Sequence, residues 1–159
     1  MADSPQLDIR HNNHNHTYDS RRTHNRLLAY HMIDDKVRNR IIGIEKLPTS
    51  VDEDFHDSTI LYINYSPGDY YGQVDIALKT WSHENEETQD IVVVFHLEDI
   101  REFHINNQIC NFTTGLTIEE NDSQHIDYWK GCMDFLLDEI CVRISARIIS
   151  IVSVEPFED

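Results

Sequence analysis

The sequence predicts a mostly β protein of the α+β class, in which an N-terminal amphipathic helix packs on an antiparallel sheet or small β-sandwich. Two observations support this. Apolar residues recur every three or four positions in residues 26–47, and short runs with a period of two follow from residue 58 onward. A chain of 159 residues has room for one domain, which we place at residues 26–159.

The helix is predicted between Arg26 and Leu47, with its apolar side chains on one face and charged side chains opposite. Gly43 weakens the last turn, so two short helices are the alternative to one. Pro48 ends the segment because proline has no amide hydrogen to donate. The apolar face consists of Leu27, Tyr30, Ile33, Val37, Ile41 and Ile44.

Residues 1–25 are rich in Asn, His, Asp, Ser and Arg and nearly lack large apolar side chains. Such a segment buries too little surface to offset its ordering entropy, so we expect a disordered tail. Its His11, His14 and His16 can bind metal adventitiously, but a disordered chain has no second shell to hold the rings. We therefore expect no physiological metal site and no cofactor.

Seven or eight short strands are predicted after the helix. Ser58–Ser66 and Gln73–Trp81 alternate in polarity and form a hairpin through the turn at Pro67–Gly72. The apolar run Ile91–Phe95 is typical of a central strand buried on both faces. The other predicted elements are an acidic loop at His83–Asp90, a helical turn at Leu97–Arg101, a strand through Phe103 and Ile105, a turn at Asn106–Cys110, and strands at Thr113–Glu120 and Ile148–Val154.

Residues 126–142 support two interpretations. Met133, Phe135 and Leu137 alternate with other residues before Asp138-Glu139, which is typical of a hairpin. Trp129, Met133, Leu136 and Ile140 have the spacing of a helical face. Gly131 and the β-branched residues that follow it favour the hairpin.

The three cysteines, Cys110, Cys132 and Cys141, lie among apolar residues and form no C-x-x-C pair. We expect buried free thiols in a reducing compartment, with a Cys132–Cys141 disulfide across a hairpin as the alternative. The sequence has neither an apolar run long enough to span a bilayer nor the apolar core of a secretory signal. A cytoplasmic location is therefore expected.

Charge is the most informative bulk property, with a formal net value of −16. Residues 1–50 carry eight Lys/Arg and six Asp/Glu, whereas residues 51–159 carry five and twenty-three. A negative field of this kind repels nucleic acid and anionic membranes and speeds encounter with basic proteins. We expect a basic protein as partner, although acidity that only keeps the protein soluble is the alternative.

No catalytic template fits the sequence. It has no G-x-S-x-G and no phosphate-binding glycine loop, and none of its cysteines lies beside a histidine. The adjacent His56 and Asp57 resemble a ligand pair of metal-dependent phosphohydrolases, but they precede a predicted strand and not a helix. We expect them to have a structural role, with Asp57 accepting local backbone hydrogen bonds and His56 filling the sheet edge. The chain is predicted not to be an enzyme.

The candidate partner-binding residues are carboxylates in predicted linkers, loops and strand ends, together with two tyrosines near the first hairpin. Loops are where binding residues concentrate, and tyrosine is frequent at binding hot spots. Trp81 lies near the same hairpin. The set is Asp52, Glu53, Asp54, Tyr70, Tyr71, Glu84, Glu86, Glu87, Asp90, Glu119, Glu120 and Asp122.

Residues 55–155 resemble a known group of small bacterial domains. The stretch F-H-D-S-T-I-L-Y-I, the run I-V-V-V-F-H-L-E-D-I-R-E-F and the terminal S-A-R-I-I-S-I-V-S-V-E-P are similar to strands in immunity proteins of polymorphic toxin systems. The resemblance implies a cytoplasmic, non-catalytic inhibitor of a cognate toxin. If that toxin is a nuclease, an acidic patch would fit its basic cleft.

Two other functions remain open. One is a self-associating structural or assembly module that pairs through sheet edges, and the other is a metal-dependent hydrolase that uses His56 and Asp57.

Overall fold

The computed structural model describes residues 33–49, 51, 55–84, 86–106, 113–122, 129–137 and 141–159. In this part of the chain, seven strands form one antiparallel sheet in the order β4-β1-β2-β3-β7-β6-β5. The mostly β class is therefore confirmed, as a single sheet. The strands are β1 (Ser58–Ser66), β2 (Gln73–Glu84), β3 (Glu87–Ile105), β4 (Thr113–Thr114), β5 (Leu116–Glu120), β6 (Met133–Leu137) and β7 (Val142–Pro156).

The sheet curls until its two edges meet. β4 pairs with β1 at one edge and β5 pairs with β6 at the other, yet only Gly115 separates β4 from β5. Because consecutive Cα atoms lie 3.8 Å apart, Thr114 and Leu116 are at most about 7.6 Å apart. The predicted strand Thr113–Glu120 is thus two strands at opposite edges.

The core lies inside this curl. The Phe95 ring on β3 contacts Phe135 on β6, with ring centroids 5.2 Å apart, and Phe55 at 6.0 Å. β7 separates β3 from β6 in the sheet, so the Phe95–Phe135 contact crosses the interior. Val74, Ile76 and other alternate residues point to the same face and are fully buried, as the period of two requires.

Within the described residues 33–49, the N-terminal segment contains two short helical pieces, α1 (Asp35–Arg38) and a 3-10 turn (Ile44–Lys46). The prediction of a single helix that extends to Leu47 is therefore wrong. The alternative prediction of two short helices is nearer to what the structure shows. The reason is that the sheet uses this backbone. Asp34 N–H donates to Ile118 O, and the backbone of Ile42 pairs with β7. Residues 26–32 and the predicted tail, 1–25, lie outside the described residues.

Two segments that were predicted to interrupt the strands are themselves parts of continuous strands. The expected helical turn at Leu97–Arg101 belongs to β3, where a bulge between Ile100 and Glu102 shifts the alternation and thereby imitates a helical spacing. The expected loop at His83–Asp90 is the paired end of β2 and β3, with Glu84 opposite Glu87. Polar side chains on the solvent-facing side of a sheet do not prevent its strands from pairing.

The hairpin interpretation of residues 126–142 is confirmed where the structure describes it, because β6 pairs antiparallel with β7.

Cys132 is free and buried, as predicted. Cys141 is disulfide-bonded, so the prediction of free thiols is wrong for this residue, and the sequence did not show which cysteines approach each other. Cys110 lies outside the described residues. Disulfides are typical of oxidising compartments, so the cytoplasmic location stays a prediction.

Candidate functional site

The first group of predicted carboxylates forms the hairpin tip, which we define as Glu86, Glu87 and Asp90. Glu86 lies in the turn between β2 and β3 with a positive φ of 66°, Glu87 is the first residue of β3, and Asp90 lies three residues further along β3. The Lys79 ammonium lies 3.2 Å from the Asp90 carboxylate and 4.0 Å from the centre of the Phe157 ring. Glu84 is the last residue of β2.

The second group forms the β5 end, defined as Glu119, Glu120 and Asp122. Burial raises the pKa of the Glu119 carboxyl, and neighbouring carboxylates, Asp134 foremost, raise it further. Glu119 therefore stands in a concentrated negative field at the end of β5. The remaining predicted carboxylates, Asp52, Glu53 and Asp54, lie outside the described residues.

The two predicted tyrosines lie in the connection between β1 and β2. Tyr70 is 93% exposed. The Tyr71 ring lies 3.8 Å from the guanidinium carbon of Arg101, whose side chain is only 4% exposed and is also 2.8 Å from the Asp99 carboxylate. Tyr71 therefore covers a buried arginine, which the sequence alone did not indicate.

The structure separates the hairpin tip from the other two groups. β2 has twelve residues, so at about 3.4 Å per residue the tyrosines lie about 40 Å of strand away from the hairpin tip. Trp81 lies near that tip and not near the tyrosines. The strand register aligns Glu119 on β5 with Glu102 on β3, through the paired residues of β6 and β7. Glu102 lies about 50 Å along β3 from Glu87, so the β5 end is also far from the hairpin tip. The candidate carboxylates therefore form separate patches.

A different surface lies beside β1, and we call residues 60–66 of that strand the open edge. β1 pairs with β2 along its length, but its other side pairs with β4 only at Ser58 and Thr59. Within the described parts of the chain, the outer side of residues 60–66 has no strand partner. Large apolar side chains are exposed here, including Leu61 at 41% and Tyr65 at 54%.

The apolar interior reaches the surface at the open edge. Tyr65 lies opposite the buried Val74, and Phe103 lies opposite the buried Ile144, so both rings share the face that forms the core. Their centroids are 5.5 Å apart. Leu61 lies at a bulge between Ile60 and Tyr62, so residues 62–66 are the regular part of the edge.

Sequence reasoning missed a buried polar cluster on β6 and β7. Asp134, 5% exposed, accepts hydrogen bonds from Asn121 Nδ2 at 2.9 Å and from the Ser145 hydroxyl, and Arg143 Nη2 lies 3.4 Å from its other oxygen. Three donors therefore surround one carboxylate in the sheet. Only the strand register, which pairs Asp134 with Ser145, could have revealed it.

A second missed cluster surrounds His96. Its Nδ1 lies 2.5 Å from an Asp75 oxygen on β2, and its Nε2 lies 3.2 Å from Glu98. Burial alone would lower the pKa of His96, but hydrogen bonds to the two carboxylates and their charges outweigh that effect and raise the pKa above 6.5. The pair of carboxylates thus favours an imidazolium that donates from both nitrogens.

His56 and Asp57 lie at the entrance to β1, and both side chains are largely exposed, with 4.0 Å between Nε2 and the carboxylate oxygen. His56 therefore does not fill the sheet edge. Asp57 has a positive φ of 58°. Among the described residues, no group of three or more His, Cys, Asp or Glu side chains could hold a metal ion, so a hydrolase site here would need further ligands.

Comparisons of the chain with known protein families, with curated proteins and with solved structures find no match. No helix within the described ranges is both long enough and apolar enough to cross a bilayer.

Proposed function

We propose that this chain is a non-catalytic acidic binding protein, an immunity-type inhibitor that occludes a basic toxin in the cytoplasm. The observation that carries the proposal is the charge of residues 51–159, which contain twenty-three Asp/Glu against five Lys/Arg. A surface of this sign accelerates encounter with a basic protein and disfavours acidic partners.

The described carboxylates form two separate groups, so the proposed contact covers one of them. The hairpin tip and the β5 end project from different parts of the sheet, and Glu86, Glu87, Glu120 and Asp122 are exposed. A partner that covers one group leaves the other in solvent, where it steers approach without being buried. This division keeps most charges hydrated, which avoids the high cost of burying unpaired carboxylates.

The direct test uses the product of the neighbouring gene, which the proposal expects to be a toxin with a basic C-terminal domain. Co-expression with the full acidic chain should restore growth, and the two purified proteins should form a 1:1 complex. The association rate constant should fall at least about tenfold between low and high salt, because salt screens exposed charges. A toxin that still arrests growth and elutes separately would overturn the proposal.

Two matched variants then locate the contact. One neutralises the hairpin tip (Glu86→Gln, Glu87→Gln, Asp90→Asn), and the other neutralises the β5 end (Glu119→Gln, Glu120→Gln, Asp122→Asn). Each removes three negative charges, so long-range steering falls equally. The variant that also accelerates dissociation identifies the group that the partner covers.

A self-associating module is the second candidate, and the open edge of β1 favours it because unpaired strand edges are templates for pairing. Its test is light scattering at micromolar concentration in low and high salt. A dimer that persists regardless of salt favours self-association, whereas a monomer favours the binding protein.

A further inference from the structure

We infer that the open edge takes an extended segment of a basic protein as an added strand, antiparallel or parallel to β1. This inference rests on the proposed function and names the surface that would carry it. An added strand gains main-chain hydrogen bonds from the sheet edge and specificity from alternate side chains.

The backbone of β1 is suited to this addition. Natural sheets usually protect an edge with lysine, proline, inward-pointing charge or a covering segment. Residues 58–66, S-T-I-L-Y-I-N-Y-S, contain no charged residue and no proline, although 26% of the whole chain is charged. The bulge at Leu61 protects one end of the edge, which leaves residues 62–66 regular.

The side chains around the edge offer contacts on both faces. On the inner face, an added strand would meet the partly buried Ile63 and the Tyr65–Phe103 ring pair. On the outer face it would run beside Tyr62 and Asn64, both exposed. Apolar side chains on one face of the added strand and polar ones on the other would match this arrangement.

Charge determines which occupant fits. Residues 55–78, which contain β1 and the described residues on either side of it, carry three Asp/Glu and no Lys/Arg. A second copy of this chain would bring the same charges to the same edge, and each copy carries −16 in total. Like charges brought together at an interface oppose association, whereas lysine and arginine on an incoming strand are attracted.

The test measures amide hydrogen exchange by NMR on the full chain, with a synthetic nine-residue peptide that alternates valine and lysine. A peptide of the same length that alternates valine and glutamate is the control. We expect the lysine peptide to slow exchange at alternate amides of residues 62–66 at least about tenfold, and the glutamate peptide to leave them unchanged.

Two variants make the result specific. Asn64→Lys adds a positive charge on the open edge, and Ile148→Lys adds the same charge on β7, at a residue that is 38% exposed. The first should weaken binding of the lysine peptide at least about tenfold, and the second less than about twofold.

Three outcomes would overturn the inference. The lysine peptide could protect the hairpin tip or the β5 end and leave β1 unchanged, which would leave the proposed function standing. Failure of the lysine peptide to protect any amide would remove the edge as a docking site, while growth rescue by the full chain would still support an inhibitor. Protection of β1 that rises with protein concentration and needs no peptide would identify a second copy as the occupant.

Discussion

The two edges of this one sheet differ in how they are covered. At the β5 edge, the backbone of Asp34 donates to Ile118 O, and Ile33 pairs with the same residue. At the β1 edge, residues 60–66 have no described strand partner, and Leu61 and Tyr65 are exposed. The comparison teaches that edge protection in this fold is local, since among the described residues the N-terminal segment bonds to β5 at Ile118 whereas residues 60–66 of β1 have no strand partner on their outer side.

The largest effect on stability is expected from replacing Asp134 on β6, the strand that pairs with β5. Asp134→Ala removes the acceptor of hydrogen bonds from Asn121 and Ser145 and takes that acceptor from the fully buried Ser145 hydroxyl. We expect the free energy of unfolding to fall by about 3 kcal/mol, measured by urea denaturation. Glu120→Ala, an exposed change on the neighbouring strand, should cost less than about 0.5 kcal/mol. Equal effects would show that the cluster does not stabilise this side.

A smaller effect is expected where the N-terminal segment crosses β7. Gly43 has a φ of 79°, and a Cβ atom there would lie 2.5 Å from Ile151 O. Gly43→Ala should cost about 2 to 3 kcal/mol, from the left-handed backbone and from the displaced carbonyl. Gly131 has a similar φ of 76°, but a Cβ there would meet only Arg40 Nη2, at 3.9 Å, so Gly131→Ala should cost only about 1 kcal/mol. Identical losses in thermal unfolding would contradict a close contact with β7.

Stability should also depend on pH through His96, which connects β2 and β3 beside the open half of the sheet. Its pKa is raised in the folded protein, so its stabilising contribution is complete below the unfolded value of about 6.5 and is lost as the pH rises through the folded pKa. The wild type should therefore lose more stability than His96→Gln between pH 6 and pH 9. Parallel urea-unfolding profiles for the two proteins would show that the carboxylates do not hold the imidazolium.

The smallest effect is expected at the open edge itself. Asn64→Lys should change the free energy of unfolding by less than about 0.5 kcal/mol, because the side chain of Asn64 is exposed. Thr117→Lys on β5 replaces a buried residue, 8% exposed, and should cost more than about 1 kcal/mol. If the two lysines have the same cost, the edges do not differ in the way that the comparison requires.

Local patterns predicted the fold wherever one strand alternates and its turn lies nearby. β1 has the bounds that were predicted, Ser58–Ser66, and its hairpin with β2 follows from Pro67-Gly68. Prediction failed where distant partners decide the structure. The N-terminal segment has a helical pattern, but its amides pair with strands more than eighty residues away. The bulge at Arg101 likewise depends on pairing with β7.

The candidate site was predictable in composition but not in arrangement. Counting charges found the acidic residues, yet their positions depend on strand lengths and register, which placed Glu87 and Glu119 far apart. The clusters around Asp134 and His96 join residues that are eleven and twenty-one positions apart, and no local pattern marks either of them. The open edge is visible only once the sheet order is known.

The most direct test of the difference between the edges is residue-resolved amide exchange, first on the free chain and then on its complex with the neighbouring gene product. In the free chain, alternate amides of residues 62–66 should exchange much faster than those of β5, and they should become protected in the complex. Outward amides of β1 that exchange as slowly as those of β5 in the free chain would contradict an edge left open for a partner.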